Sequence, residues 1–329
     1  EGSATERKGK MDINLYPVLD GHADTLVRIS EEGGSLGGGS PHLHLDLPRL
    51  KVAGVTLQVL AICAANRTQP YTWAKGIIKR WKREYARNQR ELVWVRSAAD
   101  FKTWAAGRKI GVILALEGLE PLEGEPARLE EFYALGVRML SLTWNGANPF
   151  ASGVGVPVDN GLTPLGRTVV QMVEEFGMVL DLSHLGRESF KDVMAMVREP
   201  VCVSHANVDP VYPHRRNLTA EQIRLVAETG GTVGLTFYPP FIGEGKVQSQ
   251  ALIPHLEALL RIGGVDCPAL GSDFDGIDQT PVDLTDVTGI PGFLQVLVTA
   301  GFSPEIIRKV AGANLYRFLA RKYRPPKAH

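Results

Sequence analysis

The run Ile110-Gly-Val-Ile-Leu-Ala-Leu116, closed by Glu117-Gly118, is apolar on both parities of an extended chain. Such a run suits a strand buried on both faces, as in a parallel sheet, and not the alternating strand of a half-wet antiparallel one. Working outward, similar β-branched stretches bounded by turn residues occur at Tyr16 to Asp20, Val55 to Cys63 and Val137 to Thr143. Others follow at Met178 to Ser183, Val201 to Ser204, Thr232 to Phe237 and Ala269 to Ser272, making eight predicted strands in all.

Segments with helix punctuation lie between them. Thr163 followed by Pro164 opens a stretch that ends at Gly177, and Thr219-Ala-Glu-Gln222 has the form of a capping box before a helix ending at Gly230. Ser303-Pro304 opens the last helix in the same way. Alternation of buried strands with helices indicates an α/β fold, and eight such units close most simply into a (β/α)8 barrel of the TIM type. An open doubly wound sheet is the structural alternative, but its glycine-rich phosphate loop is missing after the first run.

The length of 329 residues exceeds the about 250 of a typical barrel, leaving room for long loops. Residues 11–329 are therefore expected to form a single catalytic domain, with polar residues 1–10 as a disordered leader or expression remnant. The 36 basic and 36 acidic side chains cancel, which leaves no footprint for nucleic acid or an anionic membrane. No stretch approaches the roughly 20 apolar residues of a membrane span. Cys63, Cys202 and Cys267 are too scattered for a disulfide framework, and Cys63 and Cys202 read as small buried hydrophobes. A cytoplasmic location is expected, with a secreted form trimmed of its signal as the alternative.

The chemistry lies where the runs stop. His22 and Asp24 follow the first, Glu117 the third, His184 the fifth, His205 the sixth and Asp273 the eighth. In a parallel barrel these ends open onto one face, so residues distant in sequence converge. His22 and Asp24 are two apart, and on an extended backbone both side chains point the same way. Imidazole with carboxylate and no thiolate suits zinc or a similar divalent cation. Singly, His184 reads as a hydrogen-bonded structural residue, Glu117 as a helix cap and Asp273 as a turn aspartate. Six such residues at the same end of five strands read as a metal-centred hydrolase.

The segments Asp20-Gly-His-Ala-Asp24, Leu116-Glu-Gly118, Asp181-Leu-Ser-His184, Ser204-His205, Arg215-Arg-Asn-Leu218 and Gly271-Ser-Asp-Phe-Asp-Gly276 resemble those of the membrane (renal) dipeptidase family, a branch of the metal-dependent amidohydrolases. The likeness runs in order from about residue 16 to Leu319 and includes Gly312-Ala-Asn314-Leu-Tyr-Arg317. It implies a barrel holding two zinc ions per chain and cleaving dipeptides. His22 and Asp24 would hold one zinc, His184 and His205 the other, and Glu117 would bridge them. A hydroxide between the metals would attack the peptide carbonyl, since metal binding lowers the pKa of water from about 15.7 towards 7. Asp273 would carry the proton to the leaving amine, and Arg216 would clamp the free carboxylate of the substrate. Tyr238 is a further candidate substrate contact, and a homodimer is implied by the habit of relatives. A related amidohydrolase acting on a cyclic amide or an N-acyl amino acid, or a silent metal- or peptide-binding barrel, is the alternative.

One position departs from the pattern. Family members best known for dipeptide hydrolysis carry histidine in a Leu-Thr-His motif, and here the stretch is Leu142-Thr-Trp144-Asn145. An indole donates one hydrogen bond and accepts none. Asn145 or Asn148 is the candidate replacement donor; losing an oxyanion donor costs about 2.7 to 4 kcal/mol. Several other features carry less. His42 and His44 lie beyond the glycine-rich segment from Gly33 to Gly39, away from any strand end, and that segment reads as a mobile loop or lid. Lys75 to Arg90, with Trp73, Ile77, Trp81 and Tyr85 at fourfold spacing, reads as an amphipathic outer helix. Asp275 reads as a loop residue, and Asp20 as a partner orienting His22.

Overall fold

Ile110–Glu117 is a strand buried at every position, and its alternate residues divide the core. Ile113 and Ala115 point inward, into a cluster with Leu19, Leu57, Val59, Met139, Val179, Cys202 and Ala269. Val112, Leu114 and Leu116 point outward, against helix residues such as Trp81, Phe132 and Val170. Glu117 is the next inward residue on this row and caps the apolar interior with a carboxylate.

The computed structural model describes residues 17–324. The expected leader at residues 1–10, and Tyr16 of the first predicted strand, lie outside them. The strands are β1 Val18–Asp20, β2 Val55–Cys63, β3 Leu92–Trp94, β4 Ile110–Glu117, β5 Val137–Ser141, β6 Val179–Asp181, β7 Cys202–Val203, β8 Thr232–Leu235 and β9 Pro268–Leu270. They run parallel in the order β2-β1-β9-β8-β7-β6-β5-β4, and a further β2–β4 pairing closes the ring into an eight-stranded barrel. The fold is thus the (β/α)8 barrel expected. β3 was not foreseen. It pairs with Ile110–Val112 of β4, below the Leu114–Glu117 half that β5 occupies, and so lies outside the ring.

Several strands are shorter than the apolar runs that mark them. β6 stops at Asp181 and β7 at Val203 because the chain then turns to aim Ser183-His184 and Ser204-His205 across the barrel mouth. The helix signals act as expected. Thr163 accepts from Gly166 N–H ahead of Pro164–Glu175, and Thr219 with Gln222 forms a reciprocal capping box on Ala220–Glu228. Such a cap contributes about 1 kcal/mol. Ser303 caps Pro304–Arg308, which continues through a π-turn at Lys309–Ala313 into Asn314–Lys322. That last helix places Leu315, Phe318 and Leu319 in the interior cluster, closing the barrel at the end opposite the strand C-termini. Each such buried side chain contributes roughly 1.5–3 kcal/mol. Among the described residues no helix is long and apolar enough to cross a membrane.

Candidate metal centre

The predicted ligand-type residues meet at the C-terminal mouth. His22 Nε2 lies 3.3 Å from Asp24 Oδ2, 3.7 Å from Glu117 Oε2 and 3.9 Å from Asp273 Oδ1. On the other side of the same carboxylate, Glu117 Oε1 lies 2.9 Å from His184 Nε2 and 3.8 Å from His205 Nε2. The sets His22/Asp24/Glu117, Glu117/His184/His205 and His22/His205/Asp273 each bring their ligand atoms within 4.8 Å of one another, and all are buried.

Local backbone geometry makes this convergence. His184, Asp273 and Asp275 adopt left-handed conformations at φ 65°, 65° and 66°, which non-glycine residues rarely take and which cluster at functional sites. Asp273 N–H donates to His22 C=O, tying the end of β9 to that of β1. Gly276 lets the loop after β9 press on the cluster. A Cβ there would stand 2.3 Å from Asp24 Oδ2 and 2.5 Å from Asp273 Oδ1.

The far nitrogen of each imidazole faces an oxygen. His184 Nδ1 is 2.9 Å from Asn145 Oδ1, His205 Nδ1 is 2.8 Å from Ser204 Oγ, and His22 Nδ1 is 3.4 Å from the same Oγ. A proton on each Nδ1 leaves the Nε2 lone pairs facing Glu117, the tautomer a metal ligand needs. Without a cation the arrangement is frustrated. The Nε2 atoms of His184 and His205 stand 2.8 Å apart, and Asp24 Oδ1 is buried with no hydrogen-bond partner. Burial pushes Glu117 well above the usual carboxylate range and Asp273 up to about 7, with Asp24 adding like charge to both. Burial opposes charge on His22 too, but Glu117, Asp24 and Asp273 prevail and raise it to about 10. Burial holds His184 and His205 well below their ordinary value. The neutral imidazoles of His184 and His205, crowded carboxylates and an orphaned carboxylate oxygen fit hard or borderline divalent cations.

The cluster floors a cavity of about 510 Å³, a size suited to a small ligand. Its lining includes Arg216, Tyr238, Trp144 and Asn145. Arg216 is buried, donates to His205 C=O at 3.1 Å, and has no carboxylate within 4 Å among the described residues; its Nε is unpartnered. Tyr238 stands edge-on to Phe241 at 4.8 Å, and Trp144 lies 6.1 Å from the His184 ring. Asn145 lines the cavity with its Oδ1 facing His184 Nδ1, so the donor expected of it would be its amide Nδ2.

Other sequence expectations change. Cys63 is half-buried and lines the cavity, standing opposite Glu117 in the β2–β4 register. Only the register of two non-adjacent sequence segments reveals this. Asp20 does not orient the His22 ring: its carboxylate accepts from Ser272 and Gln58, while Ser204 faces the ring. His44 accepts from Asp275 N–H, and its own N–H donates to the Asp275 carboxylate, so it packs outside the cluster. The glycine-rich segment is pinned by buried Glu84, which accepts from Ser35 and Leu36. Glu84 belongs to the outer helix Pro70–Asn88, whose buried face carries Ile77 and Trp81 as expected.

Comparison with known proteins agrees with this geometry. A family model described as membrane dipeptidase (peptidase family M19) matches residues 13–324. The chain is 34% identical over 234 residues to a Klebsiella pneumoniae protein from the pqqA 5′ region, covering 68% of this chain and 86% of the relative. It is 29% identical over 339 residues to an uncharacterized dipeptidase of Schizosaccharomyces pombe, covering 95% and 82%. A crystal structure of a dipeptidase described as a metallopeptidase of family M19 superposes with a TM-score of 0.88 at 29% identity, covering 94% of this chain and 99% of that one. A Rhodobacter sphaeroides metallopeptidase, crystallised with a phosphinate mimic of L-Ala-D-Ala, does so with a TM-score of 0.88 at 28% identity, covering 93% and 99%.

Proposed function

Because the chain belongs to the membrane dipeptidase family and is a metallo-dipeptidase acting on peptide bonds, we propose that it is a binuclear zinc enzyme cleaving dipeptides with a free C-terminal carboxylate. His22 and Asp24 would hold one zinc, His184 and His205 the other, with Glu117 between the two. The observation that carries this reading is the convergence of three Nε2 atoms, each with its Nδ1 facing an oxygen, on the two oxygens of one buried carboxylate. Cations bound there would polarise the scissile carbonyl and bring the pKa of water towards about 7.

The protein groups then divide the remaining work. Arg216, buried without an anionic partner, takes the substrate carboxylate and sets the peptide carbonyl over the cluster. Asp273 accepts the proton of the attacking water and delivers it to the amine nitrogen as the C–N bond breaks. Trp144 and Tyr238 form walls of the cavity, and Trp144 offers a single indole N–H donor. The phosphinate mimic of L-Ala-D-Ala on the Rhodobacter relative supports a dipeptide as the ligand class and L-Ala-D-Ala as a first substrate. Hydrolysis of L-Ala-D-Ala beside its C-terminal amide tests the reading: the dipeptide is cleaved and the amide is spared by at least about tenfold, the worth of a hydrogen bond to a charged group. Equal cleavage of the two contradicts it. Trp144 favours one second reading, an N-acyl amino acid as substrate, which retains the carboxylate for Arg216 and sets an apolar acyl group against the indole.

A further inference from the structure

Beneath the cluster, in the interior row just above Val179 and Cys202, sit Asp181 and Ser204. Asp181 Oδ1 accepts from Ser183 N–H at 3.0 Å, Ser183 Oγ at 2.8 Å and Ser204 N–H at 2.8 Å, and Oδ2 accepts from Ser204 Oγ at 2.5 Å. A carboxylate only accepts, so the Ser204 hydroxyl proton is committed to it. Both lone pairs of Ser204 Oγ are then left for donors. Facing them are His205 Nδ1 at 2.8 Å and His22 Nδ1 at 3.4 Å; Ser183 Oγ, 3.1 Å away, gives its own proton to Asp181 Oδ1 and so does not donate to them.

His22 and His205 follow β1 and β7, which β9 and β8 separate in the ring, and on the reading above they would hold different metals. We infer that Ser204, locked by Asp181, is a positioning residue shared by both metal sites: one hydroxyl sets the tautomer and ring orientation of a ligand to each. Asn145 is its one-sided counterpart, because it touches only His184. The backbone of Ser204 is itself clamped. A Cβ on Gly234 or Gly271 would fall 1.9 Å or 1.7 Å from Ser204 C=O, so β8 and the turn after β9 close on it as only glycine permits. The inference rests on the binuclear reading and adds that the two sites share one point of failure.

The test is zinc titration of the metal-free protein against a chromophoric chelator, for wild type, Ser204→Ala, Asp181→Asn and Asn145→Ala, with thermal unfolding of each metal-free form. Asp181→Asn keeps shape but lets the amide donate to Ser204 Oγ, freeing the hydroxyl proton to turn towards the imidazoles. It therefore covers the case in which Ser204→Ala does not fold. Loss of an outer partner costs about 10–100-fold in metal affinity. The expected result is that Ser204→Ala and Asp181→Asn weaken both zinc-binding steps by such a factor while still unfolding cooperatively, and that Asn145→Ala weakens one. If both variants bind both zinc ions as wild type does, or lose affinity in one step only, the shared role is overturned. If wild type binds fewer than two, the binuclear reading falls instead.

Discussion

Glu117 and His184 meet at 2.9 Å through Oε1 and Nε2, while the other oxygen of the same carboxylate looks towards His22. One side chain at the inward end of β4 therefore spans both halves of the cluster. Glu117→Gln replaces one oxygen by an amide that cannot accept, so metal content should fall and kcat/KM should drop by more than the about 100-fold typical of losing an outer-shell partner. Elemental analysis with steady-state kinetics checks this, and full metal occupancy in the variant would remove Glu117 from the bridging position.

Asp273 stands at the edge of the metal set, its Oδ1 3.9 Å from His22 Nε2. Asp273→Asn should keep most of the metal and lose turnover by about 10²–10⁴-fold, the range of general acid–base catalysis. Retained turnover would assign the proton transfer to another group.

The barrel and the cluster were legible because eight runs apolar on both faces alternate with helix signals, and because the C-terminal ends of parallel strands share one face. β3 was not legible, since Leu92–Trp94 is short, follows a charged helix and owes its strand state to the free lower edge of β4. Cys63 opposite Glu117, and Ser204 rather than Asp20 behind His22, depend on register and on turns past the strand ends, which a single sequence does not encode locally.

Arg216 is buried with an unpartnered Nε and, among the described residues, no carboxylate within 4 Å, so an incoming anion is a fitting partner. Arg216→Ala should raise KM for dipeptides by about 10–100-fold, matching the loss of roughly 1.5–3 kcal/mol in charge-assisted bonding. Arg216→Lys, without the planar fork, should recover only part. Unchanged kinetics in the alanine variant would argue against recognition of a free carboxylate.

Proton release should accompany metal uptake. In the metal-free cluster burial opposes charge on His22, yet Glu117, Asp24 and Asp273 hold it up to about 10, so the ring is protonated at neutral pH. Zinc must displace that proton, and apparent affinity should rise with pH by up to about tenfold per unit for each proton released, flattening near 10. The same raised value stabilises the metal-free fold below the ordinary histidine value of 6.5, and this contribution is lost as pH rises through about 10. Calorimetric titration in buffers of different ionisation enthalpy measures the release, and a buffer-independent heat would contradict it.

The most direct measurement joins metal content to turnover: elemental analysis of the purified chain, then hydrolysis of L-L and L-D dipeptides by zinc-loaded and chelator-stripped protein. About two zinc ions per chain, with cleavage abolished by stripping and restored by zinc, is the expected result. Cleavage that survives complete removal of metal, or a fully loaded protein that cleaves no dipeptide, would contradict a binuclear zinc dipeptidase.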